Sequence, residues 1–248
     1  MTKTILITGG SRGIGRATAL LCAGEGWNVA INYASDADAA TDTVDAASAR
    51  GGKAFAMQGD VRDEAAMIAL FDRAVETFGG LDGIVNNAGI VAPKSTVAQM
   101  DVARMRTVFD TNILGAYIVA REAARRMGRS AGGRGGSIVN VSSAAARLGS
   151  AGEYVDYAGS KGAVDTMTTG LAGELAPEGV RVNAVRPGLI DTDIHASGGQ
   201  PDRADRIGSK TPLGRAGTAE EVAQAILWLL SDKASYVTGA FVDVSGGR

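Results

Sequence analysis

The sequence has few of the residues that build disulfide frameworks or metal sites. It contains one cysteine, Cys22, in 248 residues, which excludes an intrachain disulfide and favours a reducing, cytoplasmic location. Cys22 lies in an apolar helical run, which indicates a core position rather than a reactive thiol. The one histidine, His195, follows Asp191 and Asp193, but no cysteine or second histidine accompanies it. We therefore expect no metal site and interpret His195 as an exposed loop residue.

The sequence also lacks a strong charge and a long apolar run. Its formal net charge is −2, and the charged residues are scattered along the chain. We therefore expect no nucleic-acid partner. No stretch approaches the ~18 apolar residues of a membrane span, so we expect no membrane partner. The apolar run within residues 1–10 is too short for a signal peptide, and we expect no targeting segment.

What the sequence does have is a regular alternation of short apolar runs and amphipathic segments. This alternation is typical of parallel βαβ units whose sheet is buried on both faces. Helices are predicted near residues 14–25, 36–50, 63–78, 101–127, 156–176 and 218–231. The predicted strands are Thr4–Thr8, Asn28–Asn32, Lys53–Gln58, Gly83–Asn86, Gly136–Val141, Val180–Val185 and Phe241–Val244.

No linker or change in composition divides the chain, so we predict one α/β domain over residues 1–248. Its fold class is a doubly wound parallel sheet with helices on both faces and right-handed crossovers. The segment 189–214 is rich in Gly, Ser, Asp and Arg. We interpret it as a substrate lid.

A glycine-rich loop joins the first strand to the first helix. Gly9, Gly13 and Gly15 allow positive φ and a close approach of the backbone to a ligand, and a helix N-terminus attracts a pyrophosphate. A tight structural turn is the alternative. Arg16 stands where a phosphate-binding P-loop requires lysine, which excludes that motif. The strand–turn–helix context favours a Rossmann-type dinucleotide site.

Tyr157 and Lys161 are one helical turn apart, so their side chains lie on the same helix face. An ammonium about 4 Å from a phenolate stabilises it by about 4 kcal/mol at an effective dielectric constant of 20. We therefore expect Lys161 to lower the pKa of Tyr157 toward the range useful for acid–base catalysis. A buried tyrosine beside a solvated lysine is the alternative.

Taken together and in order, these motifs resemble the short-chain dehydrogenase/reductase family over nearly the whole chain. The resemblance extends to its 3-oxoacyl-[acyl-carrier-protein] reductases and glucose 1-dehydrogenases. The landmarks that carry it are Thr8–Gly15, Asp60-Val61, Asn86–Gly89, Asn112, Asn140–Ser143, Tyr157 with Lys161, Pro187-Gly188 with Thr192, and Thr238-Gly239 ahead of Asp243.

The resemblance implies a set of cofactor contacts. It places an aspartate equivalent to Asp60 on the adenine and Val61 against its ring, while Thr192 hydrogen-bonds the nicotinamide amide. A structural turn at Asn87–Gly89 and a simple strand exit at Pro187–Ile190 are the alternatives. The implied cofactor-binding residues are Gly9, Ser11, Arg12, Gly13, Ile14, Gly15, Asn32, Asp60, Val61, Asn87, Ala88, Gly89, Tyr157, Lys161, Pro187, Gly188, Ile190 and Thr192.

NADP(H) is favoured over NAD(H). NAD enzymes usually carry a carboxylate at the end of the second strand, where this chain has Asn32, and Asp36 and Asp38 come later and are expected to open a helix. Arg12 is similar to the basic residue that NADP-using relatives place against the 2′-phosphate, which a guanidinium binds in a forked geometry. An exposed loop charge is the alternative for Arg12.

The resemblance also implies the catalytic residues. Tyr157 exchanges a proton with the substrate oxygen, Lys161 assists it and hydrogen-bonds the nicotinamide ribose, and Ser143 donates to the same substrate oxygen. Many relatives place this serine 13 residues before the tyrosine, whereas Ser143 lies 14 before Tyr157; Ser142 is the alternative. Asn112 resembles the residue that bends a helix and supports a water relay to the lysine, with local capping as its alternative.

The implied activity is an NADP(H)-dependent interconversion of a ketone or aldehyde with a secondary alcohol. A sugar or polyol dehydrogenase of the glucose 1-dehydrogenase type is one alternative, and a catalytically silent nucleotide-sensing protein is another. The expected partner is a small-molecule substrate. Family members are commonly tetramers, so a homotetramer is expected here.

Overall fold

Short strands alternate with helices along the whole chain. The structure is a computed structural model that describes residues 2–248, and at position 205 it describes the backbone only. The strands are β1 (Thr4–Ile7), β2 (Asn28–Tyr33), β3 (Ala54–Gln58), β4 (Gly83–Asn86), β5 (Gly136–Val141), β6 (Val180–Pro187) and β7 (Phe241–Val244).

The helices differ widely in length. The long ones flank the sheet, and three short ones lie in connections after the fifth and sixth strands. In chain order they are α1 (Gly13–Gly24), α2 (Ala37–Ser48), α3 (Glu64–Phe78), α4 (Val102–Phe109), α5 (Ala116–Met127), α6 (Ala145–Leu148), α7 (Val155–Leu175), α8 (Ile194–Ser197), α9 (Arg203–Gly208) and α10 (Ala219–Leu230). None of the helices in the described residues is both long and apolar enough to cross a bilayer.

The strands form one parallel sheet in the order β3-β2-β1-β4-β5-β6-β7. The chain winds outward in one direction from β1 to β3 and in the other from β4 to β7. The predicted doubly wound sheet is therefore confirmed. The order reverses between β1 and β4, and such a reversal leaves a crevice at the carboxyl ends of the strands where ligands bind.

Alternate residues of each strand face opposite layers of helices. Ile5 and Ile7 of β1 belong to one buried cluster, together with residues of α1, α2 and α10. Leu6 belongs to the other cluster, with residues of α3, α5 and α7. This burial on both faces explains why the strands read as continuous apolar runs.

Side-chain caps start several of these helices. Asp36 accepts a hydrogen bond from Ala39 N at the start of α2, so an acid that follows β2 does open a helix, as expected. Asp63 accepts two backbone hydrogen bonds at the start of α3. At α10, Thr218 and Glu221 form a reciprocal capping box.

The predicted helix over residues 101–127 needs a correction. The described chain forms α4, then a π-helical turn over Asp110–Gly115, and then α5. A π-turn inserts an extra residue into the helical repeat. The one sequence feature that pointed to it is Asn112, which resembles a residue that bends a helix. The predicted ends of the strands are correct to within two residues, the largest difference being β6, which continues to Pro187.

Candidate active site

A cavity of about 840 Å³ opens at the carboxyl ends of the strands and extends across the point where the strand order reverses. It is lined by Tyr157, Lys161, Ser143 and the predicted cofactor residues. Of the predicted cofactor-binding and catalytic residues, Gly15 and Asn112 are absent from this lining. The tertiary structure therefore brings the separate sequence motifs to one site.

The glycine-rich loop forms one end of this cavity. Gly9 and Gly13 have positive φ angles of 63° and 52°, which a residue with a Cβ adopts only with strain. A Cβ on Gly15 would lie 2.3 Å from the carbonyl oxygen of Gly9, so Gly15 allows α1 to pack against the loop. Arg12 precedes α1 and provides no side-chain cap. The first amides of α1 are thus available to an anion, and a pyrophosphate fits there.

Thr8 ties this loop to the turn that follows β4. Its hydroxyl accepts hydrogen bonds from the backbone amides of Asn87 and Ala88, both at 3.0 Å. The side-chain amide of Asn87 donates to the carbonyl oxygens of Thr8 at 2.9 Å and Gly9 at 3.1 Å. The turn therefore has a structural role in addition to lining the cavity. Thr8 was part of the sequence landmarks but was not predicted as a site residue.

The cavity extends past the ends of β2 and β3. The amide of Asn32 is buried and donates to Gly59 O at 2.7 Å, so it binds the protein backbone. Asp60 is ion-paired with Arg62 at 2.6 Å, and this partner lowers the pKa of Asp60. Arg12 is exposed at the cavity wall. No acidic residue stands directly at the end of β2. Asp36 follows three residues after Tyr33 and caps α2.

Tyr157 and Lys161 lie on the first turns of α7 and both face the cavity. The ammonium of Lys161 donates to the carbonyl oxygen of Val141 at 2.8 Å and lies 5.8 Å from the centre of the Tyr157 ring. Burial raises the pKa of Tyr157, with hydrogen bonding by Ser143 opposing it. Burial also lowers the pKa of Lys161 to about 8.

The expected lowering of the pKa of Tyr157 by Lys161 is therefore wrong for this structure. Desolvation of the phenol outweighs any effect of the ammonium, which points at a backbone carbonyl instead. At neutral pH the phenol is protonated, which suits it to donate a proton rather than accept one.

Two adjacent serines follow β5, and their surroundings differ. The Ser142 hydroxyl donates to Asp165 Oδ1 at 2.6 Å and is 2% exposed. The Ser143 hydroxyl instead forms a hydrogen bond that opposes the rise in the pKa of Tyr157. It also accepts a hydrogen bond from Ala145 N at 3.1 Å. The structure thus directs Ser143, and not Ser142, toward the phenol. The additional residue between serine and tyrosine lies in a connection that contains α6.

Asn112 lies in the π-helical turn. Its side chain accepts from Ile90 N at 2.8 Å and donates to Ile90 O at 2.9 Å and to Ser160 Oγ at 3.1 Å. It therefore holds the strand-exit loop at Ile90 against α7. A Cβ on Gly89 would lie 3.3 Å from Lys161 Nζ and 3.4 Å from Asn112 Oδ1, so Gly89 separates the two groups.

The exit of β6 closes the cavity opposite the glycine-rich loop. A Cβ on Gly188 would lie 2.7 Å from the Cα of Ser245, so only glycine fits beside the chain after β7. Beyond it, Ile190 pairs with Gly217 in an isolated bridge. The methyl group of Thr192 approaches within 3.5 Å of the position a Cβ would take on Gly13. Thr192 thus spans the opening between the two halves of the site.

A model of one enzyme family matches residues 9–248; its description is enoyl-(acyl carrier protein) reductase. An uncharacterized oxidoreductase of Escherichia coli K12 is 56% identical over 98% of each chain. The chain belongs to the short-chain dehydrogenase/reductase family. It is an oxidoreductase of that family, as the sequence motifs predicted.

Relatives of this short-chain dehydrogenase/reductase have different substrates in their names. An L-rhamnose 1-dehydrogenase (NAD(P)(+)) of a Sphingomonas species is 42% identical over 99% of this chain and 95% of its own. A 3-oxoacyl-[acyl-carrier-protein] reductase of Staphylococcus aureus is 38% identical over 100% and 98%. A short-chain dehydrogenase of Burkholderia cenocepacia, solved in complex with NADP, superposes with a TM-score of 0.90 at 34% identity, covering 99% and 97%.

In this short-chain dehydrogenase/reductase, α9 contacts the loop before α7 through residues that sequence reasoning missed. Arg203 forms an ion pair with Glu153 at 2.7 Å and lies over the ring of Tyr154, 5.2 Å from its centre. Gln200 donates to the Tyr154 hydroxyl. Glu153, Tyr154 and Arg203 all line the cavity. No local pattern marks them, because the pairs are separated by about 50 positions.

His195 is half-buried rather than exposed, which corrects the sequence interpretation. Its Nε2 lies 2.8 Å from the carbonyl oxygen of Ile190, and burial lowers its pKa. It lines the cavity from α8. Among the described residues, no group of three or more His, Cys, Asp or Glu side chains is placed to hold a metal ion. Cys22 is fully buried, and burial raises its pKa to about 12, so the predicted core position is confirmed.

Proposed function

We propose that this protein catalyses the NADP(H)-dependent interconversion of a ketone or aldehyde with a secondary alcohol. The observation that carries the proposal is the convergence of Tyr157, Ser143 and Lys161 on the cavity that also contains the glycine-rich loop. A nucleotide-sensing protein needs the loop but has no use for a proton donor and a hydroxyl in the same cavity. We therefore favour an enzyme over a sensor.

The residues present fit a nicotinamide dinucleotide. The uncapped amides of α1 suit its pyrophosphate, the cleft past β2 and β3 suits its adenosine, and the exit of β6 suits its nicotinamide. When bound, the cofactor supplies or accepts the hydride. Gly9, Gly13 and Gly188 line the cavity without side chains, which leaves room for the cofactor.

The chain's own groups manage the proton. In the reductive direction, the phenol of Tyr157 gives its proton to the substrate oxygen as the carbonyl carbon gains hydride. Ser143 donates a hydrogen bond to the same oxygen and stabilises its developing negative charge. Lys161 supplies positive charge near the phenolate that is left behind. The raised pKa of Tyr157 keeps the donor protonated at neutral pH.

Asn112 is the fourth residue of this proposal, in a supporting role. Its side chain is fully engaged with Ile90 and Ser160, so it acts on the site by fixing the turn that carries Gly89. A water relay toward Lys161 remains part of the proposal, since the two side chains flank the same glycine.

The preference for NADP(H) depends on the charges at the adenosine end. Arg12 is exposed at the cavity wall, and Asn32 stands where NAD enzymes carry a carboxylate. Asp36 lines the same cavity, but it lies three residues beyond the end of β2 and is engaged as the cap of α2. Asp60 and Val61 complete this end against the adenine.

Replacing Arg12 tests the cofactor preference. In Arg12→Ala we expect kcat/KM for NADPH to fall by roughly 10- to 100-fold, since a hydrogen bond to a charged group contributes about 1.5–3 kcal/mol, while the value for NADH changes little. Arg16→Ala is the matched control, because Arg16 is also exposed on α1 but does not line the cavity. A parent enzyme that prefers NADH contradicts the assignment.

The substrate class is tested by a panel of ketones, β-ketoacyl thioesters and sugars, followed through the absorbance of the reduced cofactor in both directions. We expect the highest kcat/KM among the carbonyl compounds. Oxidation of sugars alone would support the alternative, a sugar or polyol dehydrogenase. That alternative is favoured by the carboxylate of Glu153 in the cavity wall, which can accept hydrogen bonds from hydroxyl groups, and by the relative named for L-rhamnose.

Three further expectations belong to this proposal. The lid is residues 189–214, with α8 and α9 held across the cavity mouth by the ion pair of Arg203 and Glu153. The assembly is a homotetramer, for which exposed apolar side chains such as Trp228 and Tyr117 provide contact surface. The location is cytoplasmic, where a reducing environment keeps the buried thiol of Cys22 in its free form.

A further inference from the structure

A group of charged side chains lies beside α7, one helical turn beyond Lys161. Asp165 is on the helix face that carries Tyr157 and Lys161, since the three residues are spaced by four. Its carboxylate accepts three hydrogen bonds: one from Ser142 Oγ at 2.6 Å, and two from Arg186 Nε and Nη2 at 3.0 and 2.8 Å. The family motifs quoted above do not include Asp165 or Arg186.

Arg186 is itself held firmly. Its guanidinium lies over the ring of Phe241, 4.0 Å from the ring centre, and 4.0 Å from Asp243 Oδ1 on β7. The side chains of Asp165 and Arg186 are only 15% and 16% exposed. An ion pair with this much burial and three hydrogen bonds keeps its geometry better than a surface pair does. The negative charge of Asp165 therefore has a defined position.

The negative charge of Asp165 affects the protonation of Lys161. Ser142, which holds Asp165, also lies 3.3 Å from the carbonyl oxygen of Lys161, so the group contacts the helix at that residue. The charge of Asp165 raises the pKa of Lys161, opposing the larger effect of burial, and the result is a pKa of about 8.

The other elements against Lys161 contribute little charge. The end of β5 presents the carbonyl oxygen of Val141, and the turn after β4 and the π-turn present Gly89 and the neutral side chain of Asn112. Among the residues of α7, Tyr157 is the other titratable group that lines the cavity with Lys161. Behind Asp165 lie Arg186 on β6 and Asp243 on β7, with Arg147 of α6 paired to Asp243 at 3.2 Å.

We propose that Asp165, fixed by Arg186 and Ser142, is a positioning residue that keeps Lys161 in its ammonium form beside Tyr157. The proposal rests on the proposed function, because an ammonium at this position is needed to support the phenolate formed by proton donation. It also explains why two adjacent serines follow β5: Ser143 faces the phenol, and Ser142 holds the counter-charge.

The test is the pH dependence of kcat for reduction in the parent and in Asp165→Asn. Without the carboxylate, Lys161 loses its proton at lower pH, so we expect the alkaline fall in kcat to move down by about one pH unit. At pH 8.5 this is a loss of roughly fivefold or more relative to the parent, and near pH 6 the two agree within about twofold. Asp243→Asn is the control, since Asp243 shares Arg186 but does not contact Ser142; its profile should match the parent.

A purely structural role predicts a different result. A lower melting temperature and a kcat reduced equally at every pH would overturn the proposal, as would an unchanged alkaline limb in a folded variant. Asp165→Asn could fail to fold because it leaves Arg186 unpaired. In that case the test uses the double variant Asp165→Asn with Arg186→Gln, which removes both charges together. In the double variant the alkaline fall in kcat should also move to lower pH, by a smaller amount. An alkaline fall at the parent's pH would count against the proposal.

A measurement of cofactor binding distinguishes a failure of this proposal from a failure of the proposed function. The fluorescence of bound NADPH, titrated over the same pH range, needs no substrate. Weakening of binding should begin at lower pH in Asp165→Asn than in the parent, and coincident curves would overturn the role of Asp165. A parent that binds NADPH but reduces no carbonyl compound would reject the proposed reaction while the binding curves still decide the role of Asp165.

Discussion

In Tyr157→Phe, turnover falls by a factor on the order of 10² or more, while the affinity for NADPH is retained. The change removes the hydroxyl that we propose gives a proton to the substrate oxygen, and it keeps the ring that lines the cavity wall. Single-turnover reduction measures the chemical step, and NADPH fluorescence measures binding. A variant that retains near-parental turnover would reject the mechanism.

Tyr154→Phe is the matched control for this result. Tyr154 lines the same cavity, but its hydroxyl accepts a hydrogen bond from Gln200, and the residue four positions on is Ala158 rather than lysine. We expect less than about a tenfold loss, and mainly in KM, because the change weakens a contact to the lid but leaves the proton donor in place. Equal losses in the two variants would indicate that both tyrosines act through packing alone.

Ser143→Ala should lower kcat by about 10²- to 10³-fold, the effect seen when one hydrogen-bond donor to a developing oxyanion is removed. The measurement is kcat for the best carbonyl substrate of the panel at saturating NADPH.

Ser142→Ala is the comparison that decides between the two serines. Because the Ser142 hydroxyl is buried against Asp165, we expect a lower melting temperature and a much smaller loss of kcat than in Ser143→Ala. The reverse order of losses would assign the catalytic hydroxyl to Ser142, which lies 15 residues before Tyr157 rather than the 14 of Ser143.

The fold was predictable because its determinants are local or periodic. The continuous apolar runs of the strands follow from burial on both faces, and the seven predicted strands all occur. The bounds of the π-turn at Asp110–Gly115 were not predictable, although Asn112 resembles a residue that bends a helix. The short helices α8 and α9 were missed for a related reason: four to six residues are too few to show a period.

The members of the site were predictable as well, but their environments were not. Spacing alone placed Tyr157 and Lys161 on one helix face, and the structure agrees. The pKa values depend on burial and on partners elsewhere in the chain, such as Ser143 for Tyr157, so the expected direction for the pKa of Tyr157 was wrong. His195 was misjudged for the same reason, because its contact with Ile190 closes a loop that has no sequence signature.

By itself, the sequence determined the family, the order of strands and helices, and which side chains are candidates for the chemistry. These depend on residue type and on spacing within one turn or one strand, where geometry is nearly constant. Only the tertiary structure decided that Ser143 rather than Ser142 faces the phenol, that Asn112 holds Ile90, and that Asp165 lies against Ser142 and Arg186. Those contacts join residues 14 or more positions apart, and their electrostatic effects depend on how completely the packed chain excludes water.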